Sequence, residues 1–327
     1  MQPVTARDAR RRKGKRELPD SYGFEFSAMS SVCEIRLEGQ GEPQLALAAQ
    51  QAIDEVRRIE LKYSRYRDDS IVSKINAAAG SGKPVPVDDE TASLLDFAAQ
   101  LHALSDGLFD ITSGVLRRVW DFRIGRVPDQ AALAGVLPLV GWSNVRWQDG
   151  AIELERAGME LDFGGFGKEY AADRAMAVLA ATGLRHGFIN LGGDIRVLGP
   201  RVDGRPWRFG IQHPRNEGGT YATADMTEGA LATSGDYERY FELDGRRYCH
   251  ILDPRTGWPV THWASVSVTA PACVAAGALS TIAMLKGEQA TDFLSTQCVS
   301  FLALDPLLRS FQSGPSVGRP FVLGVRT

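Results

Sequence analysis

Leu161-Asp162-Phe163-Gly164-Gly165-Phe166-Gly167-Lys168-Glu169-Tyr170-Ala171-Ala172-Asp173 reads as a strand that runs into a glycine-rich turn and then into a helix. The helix is predicted over about 168–182, with Ala171, Ala175, Val178 and Leu179 on one face and Gly183 as its terminator. Glycines between a strand and a helix let the backbone approach a ligand closely. The helix N-terminus then turns free N–H groups and positive potential toward an anion such as a phosphate. Lys168 adds a full positive charge at that mouth. The spacing is neither a Walker A loop nor a GxGxxG fingerprint, so a purely structural glycine turn explains it equally well.

Working outward from this stretch, strands dominate the C-terminal side: 187–199, 207–212, 222–233 and 264–269, with a hairpin over 237–252 turning at Asp244-Gly245. A helix of small residues follows over 274–285, stopped near Gly287, and another over 288–296. On the N-terminal side, residues 24–37 alternate and are rich in Phe, Val and Ile, which predicts one strand. Leu45, Ala49, Ala52, Ile53, Val56, Ile59 and Tyr63 recur at helical spacing. Asp88 is an expected N-cap for a helix through Leu94, Ala98, Leu101 and Leu104, and 144–156 reads as a hairpin turning at Asp149-Gly150. No repeat and no Gly/Ser- or Pro-rich linker interrupts the pattern. The expectation is one α+β unit over residues 21–327, preceded by a mobile basic arm over residues 1–20 that carries Arg7, Arg10, Arg11, Arg12, Lys13, Lys15 and Arg16.

Composition narrows the function classes. Of 327 residues, 37 are basic and 40 acidic, a net charge of −3 that argues against a general nucleic-acid binder. Cys33, Cys249, Cys273 and Cys298 are scattered without a CxxC pair, so neither a zinc site nor a disulfide framework is indicated. No apolar run is long enough to span a membrane. The basic arm continues into Glu17-Leu18-Pro19-Asp20 rather than an apolar core, so no secretory signal is read and a cytoplasmic protein is expected. Salt-sensitive binding of an anionic partner by the arm is the corresponding interaction-protein reading.

Four further segments carry chemistry-bearing residues. Asn190-Leu191-Gly192-Gly193-Asp194 ends an apolar strand, and Asp194 serves there as a turn cap or a ligand contact. Thr233-Ser234-Gly235-Asp236-Tyr237 precedes His250-Ile251-Leu252-Asp253-Pro254-Arg255-Thr256-Gly257, where a histidine at a strand end is placed to act as base, metal ligand or phosphate partner. Ser234 has no GxSxG elbow around it, which argues against a serine hydrolase. Phe109-Asp110-Ile111-Thr112-Ser113-Gly114 and Ser64-Arg65-Tyr66-Arg67-Asp68-Asp69-Ser70 are helix starts or loops, and Tyr66 offers a ring that can stack on a planar group.

The order of these blocks is more specific than any one of them. Ala28-Met29, SRYRDDSIVSKIN, FDITSG, LDFGGFGKEYAAD, NLGGDI, ATSGDYERYF and HILDPRTGWP, from about residue 24 to 287, resemble the FAD:protein FMN transferase family, the ApbE family. The resemblance implies an α+β protein of the ApbE type with a central mixed or antiparallel sheet and flanking helices. It also implies an enzyme that cleaves the pyrophosphate of FAD with Mg²⁺. FMN passes through a phosphoester bond to a Thr of a target flavoprotein, and AMP is released. FAD contacts are implied at Met29, Tyr66, Phe109, Asp110, Asp162, Lys168 and Leu252. His250 matches the family's functional histidine, as acid/base or electrostatic partner, with Asp253 as a secondary candidate. Metal ligands are implied at Gly165, through its backbone oxygen, and at Thr281.

The chain departs from the family pattern in three places. The helix that carries Thr281 reads Ala276-Gly277-Ala278-Leu279-Ser280-Thr281, and Gly277 stands where the family places a metal-binding Asp. Either another carboxylate fills in, or the metal arrives with the FAD pyrophosphate, or the protein holds or hydrolyses FAD without protein transfer. If the missing ligand limits turnover, restoring Asp at 277 is expected to raise it. Met29-Ser30-Ser31 stands where Met-Gly-Thr is common, and the lipoprotein signal of many members is not read here.

Overall fold

Residues 24–37 form a hairpin rather than the single strand expected. β1 (Ser21–Ala28) and β2 (Ser31–Glu38) pair antiparallel, from Ser21 opposite Glu38 to Ala28 opposite Ser31. Between them Met29 and Ser30 take φ of 50° and 60°. Two left-handed residues suit a tight hairpin, but such turns usually announce themselves with Asn or Gly. Here neither is present, so the alternation runs through the turn without a break. The Met29 N–H donates to Glu60 Oε1 at 2.6 Å and ties the turn to the first helix. This computed structural model describes residues 21–39, 41–314 and 320–323. The basic arm expected over residues 1–20 lies outside the described residues.

α1 (Glu42–Tyr63) buries Leu45, Ala49, Ala52, Ile53, Val56 and Ile59, the stripe its spacing predicts. After α2 (Ile71–Ala77) and β3 (Val85–Pro86), α3 (Asp89–Leu104) starts as expected, where Asp88 accepts the Thr91 N–H at 2.9 Å. A 3₁₀ segment, Ile111–Arg118, and α4 (Gln130–Val136) lead to β4 (Val145–Gln148) and β5 (Ala151–Leu154), which turn at Asp149-Gly150 as predicted.

The strand expected before the glycine turn is absent. Leu161 is fully buried, but its N–H and C=O are met by the side-chain amide of Asn76, at 2.7 and 3.1 Å. The Asp162 N–H goes to the Ile111 carbonyl. Buried backbone groups need partners, and here a side chain and a loop supply what a neighbouring strand would have. α5 (Gly167–Ala181) follows, ended by Gly183 at φ 84°.

β6 (Gly187–Leu191) and β7 (Asp194–Gly199) form a hairpin through Gly192 and Gly193. β8 (Trp207–Gln212) pairs with β9 (Thr220–Met226). The expected strand 222–233 is in fact divided: β9 lies in a small sheet, and β10 (Gly229–Gly235) lies in the main one, with Gly229 at φ 82° at the break. β11 (Tyr240–Leu243) and β12 (Arg246–Cys249) turn at Asp244-Gly245 as predicted. β13 (Ser265–Ala270), α6 (Cys273–Lys286), α7 (Ala290–Thr296), β14 (Ser300–Leu304), β15 (Ser310–Ser313) and β16 (Phe321–Leu323) complete the chain.

The main sheet has eight strands in the order β1-β2-β6-β7-β10-β13-β14-β15, and every neighbouring pair is antiparallel. Period-two alternation splits its side chains between two layers. Ile189, Leu191, Ala230 and Ala232 join the core under α1, α5 and α6. Phe188 and Leu231 face the opposite way, against Trp207, Phe209 and Ile211 of the small sheet β16-β9-β8. α6 has no capping side chain of its own; the Asp173 carboxylate of α5 accepts the Cys273 and Val274 N–H groups, each at 2.9 Å. That contact fixes α6 against α5, which matters for the site. All four cysteines are free thiols. Among the described residues no helix is long and apolar enough to cross a membrane.

Candidate active site

A cavity of about 720 Å³ opens where the β1–β2 turn, the end of α1, the 3₁₀ segment, the start of α5, the β6–β7 turn and the ends of β10 and β12 converge. This is the size of cleft that takes an organic cofactor. Met29, Tyr66, Phe109, Asp110, Asp162, Gly165, Lys168, His250, Leu252 and Thr281 all line it. The chain thus gathers, from blocks more than 250 positions apart, nearly every residue the sequence singled out. Asp253 is the exception and does not line the cavity. Its Oδ1 accepts from the Arg255 backbone at 2.9 Å and its Oδ2 from the Arg255 guanidinium at 2.8 Å. The Asp-Pro turn, not the reacting centre, takes up this carboxylate.

The glycine turn is shaped by Asp162. Its Oδ1 accepts the Gly164 N–H at 2.9 Å, while Oδ2 lies 3.0 Å from Arg117 and 3.4 Å from Arg65. A Cβ on Gly165 would come within 2.9 Å of Phe109 Cζ. The missing side chain therefore lets the Phe109 ring close on the turn, with its centroid 6.2 Å from Phe166. α5 begins at Gly167 with no side-chain cap; the Gly167 N–H goes to the Phe163 carbonyl at 2.7 Å, and Gly167, Lys168 and Glu169 of the first turn line the cavity. Arg65, Arg117, Lys168 and Arg239 stand around the same space. The potential there favours a concentrated anion.

Asp110 plays a different part from a free ligand contact. It is buried, its Oδ1 accepts from the Thr112 N–H and hydroxyl at 2.8 and 2.6 Å, and its Oδ2 accepts the Trp142 N–H at 2.9 Å. Its carboxylate braces the wall beside Phe109. Tyr66 is 78% exposed, with the Arg65 guanidinium 5.0 Å from its ring centroid. The outer face of that ring is open to a planar group.

Lys168 Nζ lies 2.9 Å from Asp194 Oδ2 and donates to the Gly192 carbonyl at 3.3 Å. Burial opposes the ammonium, but the charges of Asp194 and Glu169 outweigh it and hold Lys168 above its ordinary pKa. His250 donates its backbone N–H to Arg239 O at 2.9 Å, while its buried Nδ1 has no hydrogen-bond partner. Burial, with Arg239 and Arg117 nearby, pushes the imidazole down to about 4. At neutral pH it is uncharged and able to accept a proton.

Ser234 on β10 joins the site to α6. Its hydroxyl lies 2.8 Å from Ser280 Oγ and 3.0 Å from Thr281 Oγ1. Beside them sits Glu169, 8% exposed, with Oε2 buried and unpartnered. Burial raises its pKa well above the ordinary carboxylate range, and Asp194 adds to the effect. Among the described residues no group of three or more His, Cys, Asp or Glu side chains forms a ready metal cage. The oxygen donors at Thr281, Ser234, Gly165 and Glu169 nevertheless suit a hard divalent cation, which binds hydroxyl, carbonyl and carboxylate oxygens. The orphaned Glu169 oxygen is the observation that favours the fit. Arg65, Glu169 and Arg239 were within the quoted sequence blocks but not singled out there; Arg117 lies just past FDITSG and carried no sequence signal of its own.

Residues 29–302 match the family model described as the ApbE family. A protein of Treponema pallidum named FAD:protein FMN transferase is 32% identical over 296 residues, 84% of this chain and 82% of that protein. One of the same name from Vibrio cholerae is 32% identical over 232 residues, 69% of each chain. The crystal structure of the ApbE protein of Thermotoga maritima superposes with a TM-score of 0.83 at 32% identity, covering 90% of this chain and 97% of that one. The flavin transferase ApbE of Vibrio cholerae superposes at 0.82 with 25% identity, covering 93% of this chain and all of that one. The chain belongs to the ApbE family.

Proposed function

We propose, from that membership, that this chain is an FAD:protein FMN transferase. In the reaction a threonine Oγ of a target flavoprotein attacks the phosphorus on the FMN side of the FAD pyrophosphate. A P–Oγ bond forms, the P–O bond to AMP breaks, and AMP leaves with the bridging oxygen. The observation that carries this reading is the concentration of positive groups at the uncapped start of α5, beside a histidine held neutral. Cleaving a pyrophosphate needs its charge neutralised as the bond to AMP breaks. Lys168, Arg65, Arg117 and the α5 N–H groups are placed to hold the phosphates. The rings of Tyr66 and Phe109, with Met29 and Leu252, supply the apolar walls for the planar parts of FAD. His250 takes the threonine proton as attack proceeds, which its neutral form permits. Mg²⁺, held by Thr281, Gly165 and a carboxylate, supplies Lewis-acid neutralisation of the phosphate oxygens when bound.

The test is to incubate the full chain with FAD and an acceptor flavoprotein, with and without Mg²⁺. Nucleotides are separated by chromatography, and covalent flavin on the acceptor is read by in-gel fluorescence. AMP together with flavin-labelled acceptor is expected only with metal. AMP with free FMN and unlabelled acceptor would make the protein a pyrophosphatase instead. Intact FAD in both conditions would make it a flavin-holding protein.

A further inference from the structure

Gly277 and Thr281 sit four residues apart on α6 and therefore on one face, one turn from each other. The place a side chain at 277 would take is already filled. A Cβ built on Gly277 would stand 2.6 Å from Cγ and 2.7 Å from Cδ of Glu169, with Oε1 nearer still. Real Cβ atoms do not show such approaches, so a side chain at 277 requires the buried Glu169 side chain to leave the position it holds. α5 cannot simply move away, because Asp173 caps α6 from one turn further along it. Glu169 thus reaches across the helix pair and lies over Gly277, with Oε2 unpartnered, while lining the same cavity as Thr281. Leaving a buried carboxylate oxygen without a donor is costly unless something else occupies it.

We infer that Glu169 supplies the carboxylate of the divalent-cation site, from α5, in the space that a side chain at position 277 of α6 would need. Gly277 is then the condition for this arrangement rather than a missing ligand. The inference rests on the reading that flavin transfer uses a divalent metal. It also reverses the expectation that Asp restored at 277 alone raises turnover, since that side chain collides with Glu169.

The test is Mn²⁺ binding to the full chain, read from the paramagnetic resonance signal of the free ion, with and without FAD. Flavin fluorescence quenching reports FAD binding in the same samples. E169Q keeps the shape and loses the charge; it is expected to weaken Mn²⁺ more than tenfold while FAD still binds. E169G/G277D, which moves the carboxylate back to α6, is expected to bind Mn²⁺ within about threefold of wild type. G277D alone is expected to melt lower than wild type and to gain no affinity. Mn²⁺ binding by E169Q equal to wild type would overturn the inference, as would E169G/G277D binding no better than E169G. Wild type that binds FAD but no Mn²⁺ would overturn the metal site and leave the flavin reading standing. Wild type that binds Mn²⁺ but no FAD would sink the flavin reading and leave the Glu169 comparison to be decided on the metal alone.

Discussion

Lys168→Met removes the one cation paired with Asp194 among the described residues, and the consequence can be worked from the geometry. The ammonium sits 2.9 Å from a carboxylate whose side chain is 6% exposed. Taking away one partner of a buried pair leaves the other charge uncompensated, a loss of about 3–5 kcal/mol. With an unfolding entropy of ~2.1 cal/mol/K per residue, this chain of 327 residues should melt roughly 4–7 °C lower at pH 8. The loss is pH-dependent, and the sign follows from linkage. Burial already holds the Asp194 carboxyl above its ordinary value, with Lys168 opposing that rise, so removing Lys168 raises it further. Between the wild-type and the variant values only the folded variant binds the extra proton, so its deficit shrinks as pH falls. The deficit at pH 5 is therefore smaller than at pH 8. K168M/D194N, which removes both charges, should recover most of the melting temperature but not the FAD affinity, because the cation beside the α5 N-terminus is still gone. Melting curves at pH 5 and 8 for the three proteins decide it. If K168M melts within about 1 °C of wild type at both pH values, the pair is not the buried interaction described here.

The remaining predictions concern individual walls of the cavity. His250 is neutral above about pH 4, so AMP release should stay level from pH 8 to 5 and fall only as pH approaches 4; an acid limb near 6.5 would contradict its environment. H250N should lower AMP release at least a hundredfold, the usual scale for general base catalysis, with FAD affinity measured by fluorescence changed far less. Gly165→Ala forces a methyl group against Phe109 Cζ at 2.9 Å and should cost about 1–3 kcal/mol by overpacking; G165A/F109L should recover most of the melting temperature. Asp253→Ala removes the Arg255 contact outside the cavity, so it should lower thermal stability and leave the pH profile of AMP release unmoved, whereas a displaced profile would return Asp253 to the chemistry.

Much of the site was legible in the chain because its blocks are short and local. LDFGGFGKEYAAD names its own turn and helix start, and HILDPRTGWP its own strand end, so the positions that line the cavity could be marked without knowing how they meet. The roles were less legible. Asp110 and Asp253 look like free carboxylates in a one-dimensional string, and both are consumed by hydrogen bonds to the backbone or to Arg255. Arg117 has no pattern around it and acquires its place only because the 3₁₀ segment carries it to within 3.0 Å of Asp162.

Sequence alone determined the helices α1, α3, α5 and α6, the Asp-Gly hairpins and the family, because these depend on periodicity, caps and turn residues that neighbours in the chain supply. Tertiary structure decided the rest. The Met29-Ser30 turn has neither Asn nor Gly and is fastened by Glu60 from another element. Leu161 is not a strand because a distant Asn76 satisfies its backbone. The glycine at 277 reads as a loss along the chain, and in space it is the room in which Glu169 lies. Excluded volume and the demand of buried polar groups for partners act here between positions 31 and 85 residues apart, and more than a hundred apart for Glu169 and Gly277, and no local pattern records them.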